Sequence, residues 1–227
     1  MSVPDLRTRT VAEIVARHPA SARVLQAHRI DFCCRGERTV AEALAGRAGA
    51  REDEVLAEIE GAIHAPAAQA EPAPVDLSVP ALVARIIDRH HAYLRRALPS
   101  LLPLVSKVAR VHGDHDPALA ALDAEVRLLA GALEPHLDEE ERDLFPLLMA
   151  RGADRARVRA ALARMRSDHL AVGEALGRIR DLAHGFEAPP WACASYRLAL
   201  AELEDLETDL LRHVHLENHV LGPKAAA

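Results

Sequence analysis

The chain has 227 residues, half of them apolar, which is enough to build a core and excludes disorder as a description of the whole. With three Phe, two Tyr and one Trp that core must be aliphatic, and the abundance of Ala and Leu favours helices over strands. A net charge of −6, from 28 basic and 34 acidic residues without any basic block, argues against a nucleic-acid surface built on phosphate contacts.

The amino terminus, Met1-Ser2-Val3-Pro4-Asp5-Leu6-Arg7, carries no apolar stretch behind a basic flank. No later window approaches about 18 uninterrupted apolar residues, so no membrane partner is expected. Three cysteines, with Cys33 and Cys34 adjacent and Cys193 distant, do not make a disulfide framework. The expectation is a protein of the reducing cytoplasm.

Residues 1–64 read as a small helical domain. Thr10-Val11-Ala12-Glu13 and Thr39-Val40-Ala41-Glu42 are both capping boxes, each opening a helix. A further helix is predicted from about Arg51 to Ile63, with Val55, Ile59 and Ile63 on one side. Between the capped helices lies Ile30-Asp31-Phe32-Cys33-Cys34-Arg35-Gly36, where Gly36 is suited to a helix end or a turn. Residues 65–76, Ala-Pro-Ala-Ala-Gln-Ala-Glu-Pro-Ala-Pro-Val-Asp, have no apolar period and read as an extended linker.

Residues 77–224 contain four segments with apolar steps of three and four. The first stripe is Val83, Ile87, His91, Leu94, Leu98 and Leu102. The second is Leu122, Val126, Leu129, Leu133, His136, Glu140, Leu144 and Leu147. The third runs Val158, Leu162, Met165, His169, Val172, Leu176 and Ile179, and the fourth Leu203, Leu206, Leu210, His213, Glu217 and Val220. Such stripes, joined by short connections, predict an all-α, up-down four-helix bundle behind the small helical domain.

Thirteen histidines are more than packing or solubility asks for, and imidazole is the commonest metal ligand. Each stripe is aliphatic except at one level, where it carries His91, His136 with Glu140, His169, or His213 with Glu217. Helix ends placed near residues 109 and 117, 150 and 154, and 184 and 195 put these insertions at matched depths, so antiparallel packing stacks them in one layer. His136, Glu140, Leu144 and Pro146 repeat the spacing of His213, Glu217, Leu221 and Pro223. At i and i+4 each His and Glu point the same way, one turn apart.

Two such pairs and two single histidines suit a dinuclear centre. Each ion takes two imidazoles, both carboxylates bridge, and a water-derived oxo or hydroxo group completes the bridge. Iron, manganese and zinc all accept these ligands, and bridging carboxylates in a bundle lean towards iron. The alternative is a layer of ordinary polar core residues, at about 2–7 kcal/mol for each group lacking a partner. A metal removes that cost.

Other histidines read differently. His90, His112, His115, His215 and His219 lie off the stripes, with solvated or supporting roles, and His18 and His28 flank the amino-terminal helices. Glu139 and Glu141 read as surface charge, while Asp168 is either an acid supporting His169 or a surface carboxylate. Cys193 reads as structural. For Cys33 and Cys34, metal binding, thiol exchange, nitric-oxide chemistry and inert burial all stay open.

Two motifs together carry a resemblance. Asp31-Phe32-Cys33-Cys34-Arg35-Gly36 precedes a bundle with Lys107 through His112, His136 through Glu140-Glu141 to Leu144-Phe145-Pro146, Asp168-His169, and His213 through Leu216-Glu217-Asn218. Over nearly its whole length the sequence resembles the iron–sulfur cluster repair di-iron proteins, which pair a double-cysteine domain with a hemerythrin-like bundle. The departures are Gly222 in place of the Phe of a second Leu-Phe-Pro, and Arg35 where the family often has Gly.

The resemblance implies two iron ions held by His91, His136, His169 and His213, with Glu140 and Glu217 bridging. It implies repair of clusters damaged by oxidants or nitric oxide through supply of iron, with damaged iron–sulfur proteins as partners and Cys33 and Cys34 in thiol or iron transfer. A homodimer is a candidate assembly. The competing readings are a redox enzyme acting on nitric oxide or peroxide, and a module that binds oxygen or nitric oxide as a sensor.

Overall fold

The computed structural model describes residues 3–46, 49–64 and 72–226. Five short helices come first: α1 (Val3–Thr8), α2 (Val11–Arg17), α3 (Ser21–Ala27), α4 (Val40–Leu44) and α5 (Gly49–His64). Both capping boxes form. The Thr10 hydroxyl accepts from the Glu13 amide while the Glu13 carboxylate accepts from the Thr10 amide, and Thr39 with Glu42 repeats the exchange. Of the predicted linker, residues 65–71 lie outside the described residues, and Pro74–Asp76 forms a 3-10 turn started by its proline.

Four long helices follow: α6 (residues 79–112), α7 (118–149), α8 (Arg155–Leu182) and α9 (194–226). The Asp154 carboxylate caps α8 by accepting from the Ala156 amide at 2.8 Å. The protein is all-α, with no strand among the described residues. No described helix is long and apolar enough to cross a membrane.

Three of the long helices are interrupted by a π turn, at Ile87–His91 in α6, Glu140–Leu144 in α7 and Leu216–Leu221 in α9. Those of α7 and α9 end two residues before Pro146 and Pro223, which have no N–H to donate to a regular helical ladder. The spacing repeat seen in the sequence is therefore a repeat of local structure.

These turns also move the buried stripe. On α8 and over the predicted stretch of α9 every expected inward residue is buried. In α7 the π turn takes up an extra residue, so Leu148 is buried where Leu147 was expected. In α6 the buried position falls on Ile86, just before the π turn, in place of Ile87. Beyond Leu98 the inward face continues through Leu101, Val105 and Val108 in alternating steps, leaving Leu102 half-buried.

The chain divides into two compact units, Met1–Val83 with Leu211–Ala227, and Ala84–Leu210. In the first, Leu6, Ile14, Leu25, Phe32, Leu44 and Ile59 form a core that also takes in Val214 from α9. In the second, α6 packs on α7 and α7 on α8. Its buried side chains are mostly Leu, Val and Ile, as the scarcity of aromatic residues predicts, with Phe145, Phe186 and Tyr196 as the aromatic exceptions.

Candidate metal centre

In the second unit His91, His136, Glu140 and His169 come together. Glu140 sits at the start of the α7 π turn, 2% exposed, and its two oxygens face different imidazoles. Oε2 lies 3.4 Å from His91 Nε2, while Oε1 lies 3.2 Å from His136 Nε2 and 3.8 Å from His169 Nε2. Two ligands bound at 2.0–2.2 Å to one cation stand about 3.0–3.5 Å apart, which the His91 and His136 separations of 3.4 and 3.2 Å match and that of His169 at 3.8 Å slightly exceeds. Both Glu140 oxygens are buried and accept no hydrogen bond. A buried carboxylate in that state is costly unless a cation meets it, so the donor set fits a metal.

Burial by itself would raise the Glu140 carboxyl, but the facing imidazoles of His136, His169 and His91 hold it well below the usual carboxylate range. The group is a carboxylate, ready to bind a cation without first losing a proton. His91 and His169 are each 1% exposed, and the rings of His136 and His169 meet edge-on at 5.3 Å. His136 is the most open of the three imidazoles, bordering a cavity of about 430 Å³ lined also by Leu129, Leu133, Asp168 and Val172.

The imidazole of His91 is held from behind. Glu141 Oε1 accepts the Nδ1 proton of His91 at 2.8 Å and is itself held by Arg95 at 2.8 Å. That sets the orientation of the ring, with Nε2 turned to Glu140. Phe145 stacks on the same ring at 5.6 Å. Glu141 is thus a positioning residue and not the surface charge the sequence suggested. A regular helix sets consecutive side chains about 100° apart, so periodicity carries no signal that Glu140 and Glu141 serve one ring. His90, also off the stripe, is buried and pairs through Nδ1 with Asp209 Oδ1 at 2.8 Å. Asp168 stands 4.0 Å from His136 Nδ1, beyond hydrogen-bond reach.

The first unit holds the other two expected ligands. His213 and Glu217, 2% and 0% exposed, are joined by His213 Nε2 to Glu217 Oε1 at 3.1 Å. The same stretch of α9 anchors the cysteine loop. His215 Nδ1 donates to the Phe32 carbonyl at 3.1 Å, and Asn218 Nδ2 and His219 Nε2 both donate to the Cys33 carbonyl at 2.9 Å. Burial drives the His215 imidazole down to about 3, so it is neutral here. The sequence sign of these roles is the density of polar residues on more than one face of 213–219.

Gly36 closes this arrangement. A Cβ there would stand 2.6 Å from the Phe32 carbonyl oxygen, 2.7 Å from Ala12 Cβ and 2.9 Å from His219 Nε2. Close approach, and not a positive φ, excludes any larger residue. Within the loop Asp31 Oδ1 accepts from the amides of Cys33 at 3.1 Å and Cys34 at 2.8 Å, and the two Sγ atoms lie 3.4 Å apart. The contact with Cys34, then burial and the Asp31 charge, push the Cys33 thiol well above its ordinary range.

The other residues singled out from sequence lie elsewhere. His28 pairs with Glu58 at 2.9 Å, and His18 lines a surface hollow with Arg9 and Glu13. Cys193 is exposed with His112 Nε2 3.1 Å away, while His112 and His115 lie against Trp191.

Residues 82–225 match the family model described as the hemerythrin HHE cation-binding domain, a span that holds all six expected ligands. Residues 7–63 match a second model, ScdA_N, described as a domain of unknown function. Fold, donor set and match define a cation-binding protein of the hemerythrin type. The iron–sulfur cluster repair protein YtfE of Pectobacterium carotovorum subsp. carotovorum is 31% identical over 222 residues, covering 96% of this chain and 97% of its own length. Proteins of the same name from Yersinia pseudotuberculosis and Yersinia pestis are 30% and 29% identical over 221 residues, each covering 97% of this chain. The chain belongs to the family of these iron–sulfur cluster repair proteins.

Proposed function

We propose that the protein repairs damaged iron–sulfur clusters by supplying iron from a di-iron centre. His91, His136, His169 and His213, with the carboxylates of Glu140 and Glu217, would hold it. The observation that carries this reading is Glu140, a buried carboxylate that turns one oxygen to His91 and the other to His136 and His169. A carboxylate divided in this way suits two cations. The relatives' name supplies the client class, and the lack of a membrane-spanning helix among the described residues agrees with work in the cytoplasm.

The bound iron would supply a labile, redox-active cation. The chain's own residues do the rest. Glu141 and Arg95 fix the orientation of His91, Phe145 backs its ring, and the aliphatic stripes keep water from the inner ligands. His136, beside its cavity, is the ligand that solvent or a small reductant reaches first. The Asp31-Cys33-Cys34 loop offers sulfur ligands for a departing iron, or a contact for the client.

Metal analysis and Mössbauer spectroscopy of the purified protein test the centre, with His136→Ala, Glu140→Ala as the comparison. Two irons lost in the variant are expected, and unchanged metal content overturns the assignment. Incubation of the reduced protein with a cluster-damaged dehydratase tests repair. Recovery no greater than with free iron at equal concentration overturns it.

A further inference from the structure

The peptide unit between Cys33 and Cys34 is held from three sides. Its carbonyl accepts from Asn218 Nδ2 and His219 Nε2, both at 2.9 Å, and its amide donates to Asp31 Oδ1 at 2.8 Å. The two donors to the carbonyl belong to the Leu216–Leu221 π turn, which also presents Glu217. The sulfurs are 3.4 Å apart, Cys33 buried and Cys34 half-buried. Joining them closes an eight-membered ring that contains this peptide unit, with sulfurs drawn in to about 2.05 Å. The peptide is planar and stiff, so it must turn as one piece and carry its carbonyl away from Asn218 and His219.

We propose that Cys33 and Cys34 are a peroxide-sensitive dithiol whose closure into a disulfide loosens the α9 turn bearing Glu217. The sulfur of Cys34, the more accessible, attacks one oxygen of hydrogen peroxide. The O–O bond breaks, a sulfenic acid forms, and the other oxygen leaves as water with the thiol proton. The sulfur of Cys33 then attacks the Cys34 sulfur. The S–S bond forms, the S–O bond breaks, and the hydroxyl leaves as a second water with the Cys33 proton. Two thiols are oxidised and one peroxide is reduced to two waters, and a small dithiol returns both electrons and protons.

The link has a built pathway. Asn218 is 4% exposed and follows Glu217 directly, His219 is pressed against the site of Gly36, and His215 holds the neighbouring Phe32 carbonyl. A loop held by three hydrogen bonds from 215, 218 and 219 to two carbonyls reorders at the expense of that stretch of α9. Peroxide, a source of cluster damage, would thereby raise the rate at which the protein gives up its metal. This effect on metal rests on the proposed role of Glu217, whereas closure and loosening of the turn do not.

The test uses the full chain. Metal-free reduced protein is treated with an equivalent of hydrogen peroxide and compared with the Cys34→Ser variant by peptide mass spectrometry and amide hydrogen exchange. Expected are loss of two hydrogens at the Cys33–Cys34 peptide without added oxygen, reversal by a dithiol, and exchange at 216–221 faster by about tenfold. Oxygen adducts without a disulfide overturn the proposal, as does a disulfide that leaves exchange at 216–221 unchanged, or a thiol pair that ignores peroxide and instead retains a soft metal ion through dialysis. Iron-loaded protein is then exposed to a chelator in both states. Faster release on oxidation, abolished in Cys34→Ser, supports the coupling to metal, and equal rates overturn it. If the reduced protein holds no iron at all, the di-iron reading falls while mass and exchange still decide the switch.

Discussion

Glu140 and Glu141 are neighbours in sequence, yet both turn towards one imidazole, Glu140 Oε2 3.4 Å from His91 Nε2 and Glu141 Oε1 2.8 Å from His91 Nδ1. The π turn that begins at Glu140 allows this, because it departs from the regular 100° step between consecutive residues. One pair of carboxylates therefore faces both ring nitrogens of a single imidazole and sets its position.

Removing the rear carboxylate tests that arrangement. Glu141→Ala is expected to weaken iron binding by about 10–100-fold, read by competition with a coloured chelator. Glu141→Gln keeps an acceptor for the Nδ1 proton and should recover most of the loss. Unchanged affinity in the alanine variant would sink the role given to Glu141.

The cysteine loop offers a steric test. Gly36→Ala puts a methyl group against the Phe32 carbonyl, Ala12 and His219, and should cost about 1–3 kcal/mol in urea unfolding. A variant as stable as the parent shows that the loop has room to shift.

Arg180 and Glu207 form an ion pair with both Arg180 Nε and Nη2 reaching the carboxylate, and Glu207 is 4% exposed. Arg180 also lies 4.7 Å over the ring of Phe186. Arg180→Ala removes the guanidinium that meets the buried Glu207 carboxylate and should destabilise by about 1.5–3 kcal/mol, seen as a lower denaturation midpoint. A midpoint unchanged from the parent would place Glu207 in solvent.

Alkaline titration gives a fourth test. Burial, then the charge and hydrogen bond of Asp116, push the Tyr196 hydroxyl up to about 12 from its ordinary value of 10. The unfolded chain loses this proton first, so the contribution is complete below pH 10 and falls as pH rises from there through about 12. Thermal melts should show that loss in the parent and a flatter profile in Tyr196→Phe. Parallel profiles would contradict the shift.

The six candidate ligands stand out because each interrupts an aliphatic stripe, and four of them come together around Glu140, while the capping boxes were legible because local backbone chemistry sets them. What period could not show lies at the π turns. Leu148 is buried instead of Leu147, and Glu141 serves His91, because an i+5 turn leaves no mark in a pattern read at 3.6 residues. The anchoring of Cys33 by Asn218 and His219 was hidden for another reason. It joins positions far apart in sequence, and only the fold brings such positions together.

The unit that contains the cysteine loop is discontinuous, since Val214 and the donors at 215, 218 and 219 come from residues 211–227. During synthesis, residues 1–83 leave the ribosome with a gap in their core that the chain fills only when 211–227 emerge. A truncation at the proline-rich segment would strip α9 of the partners that bury Val214, so neither fragment would reproduce the behaviour of its half of the intact protein.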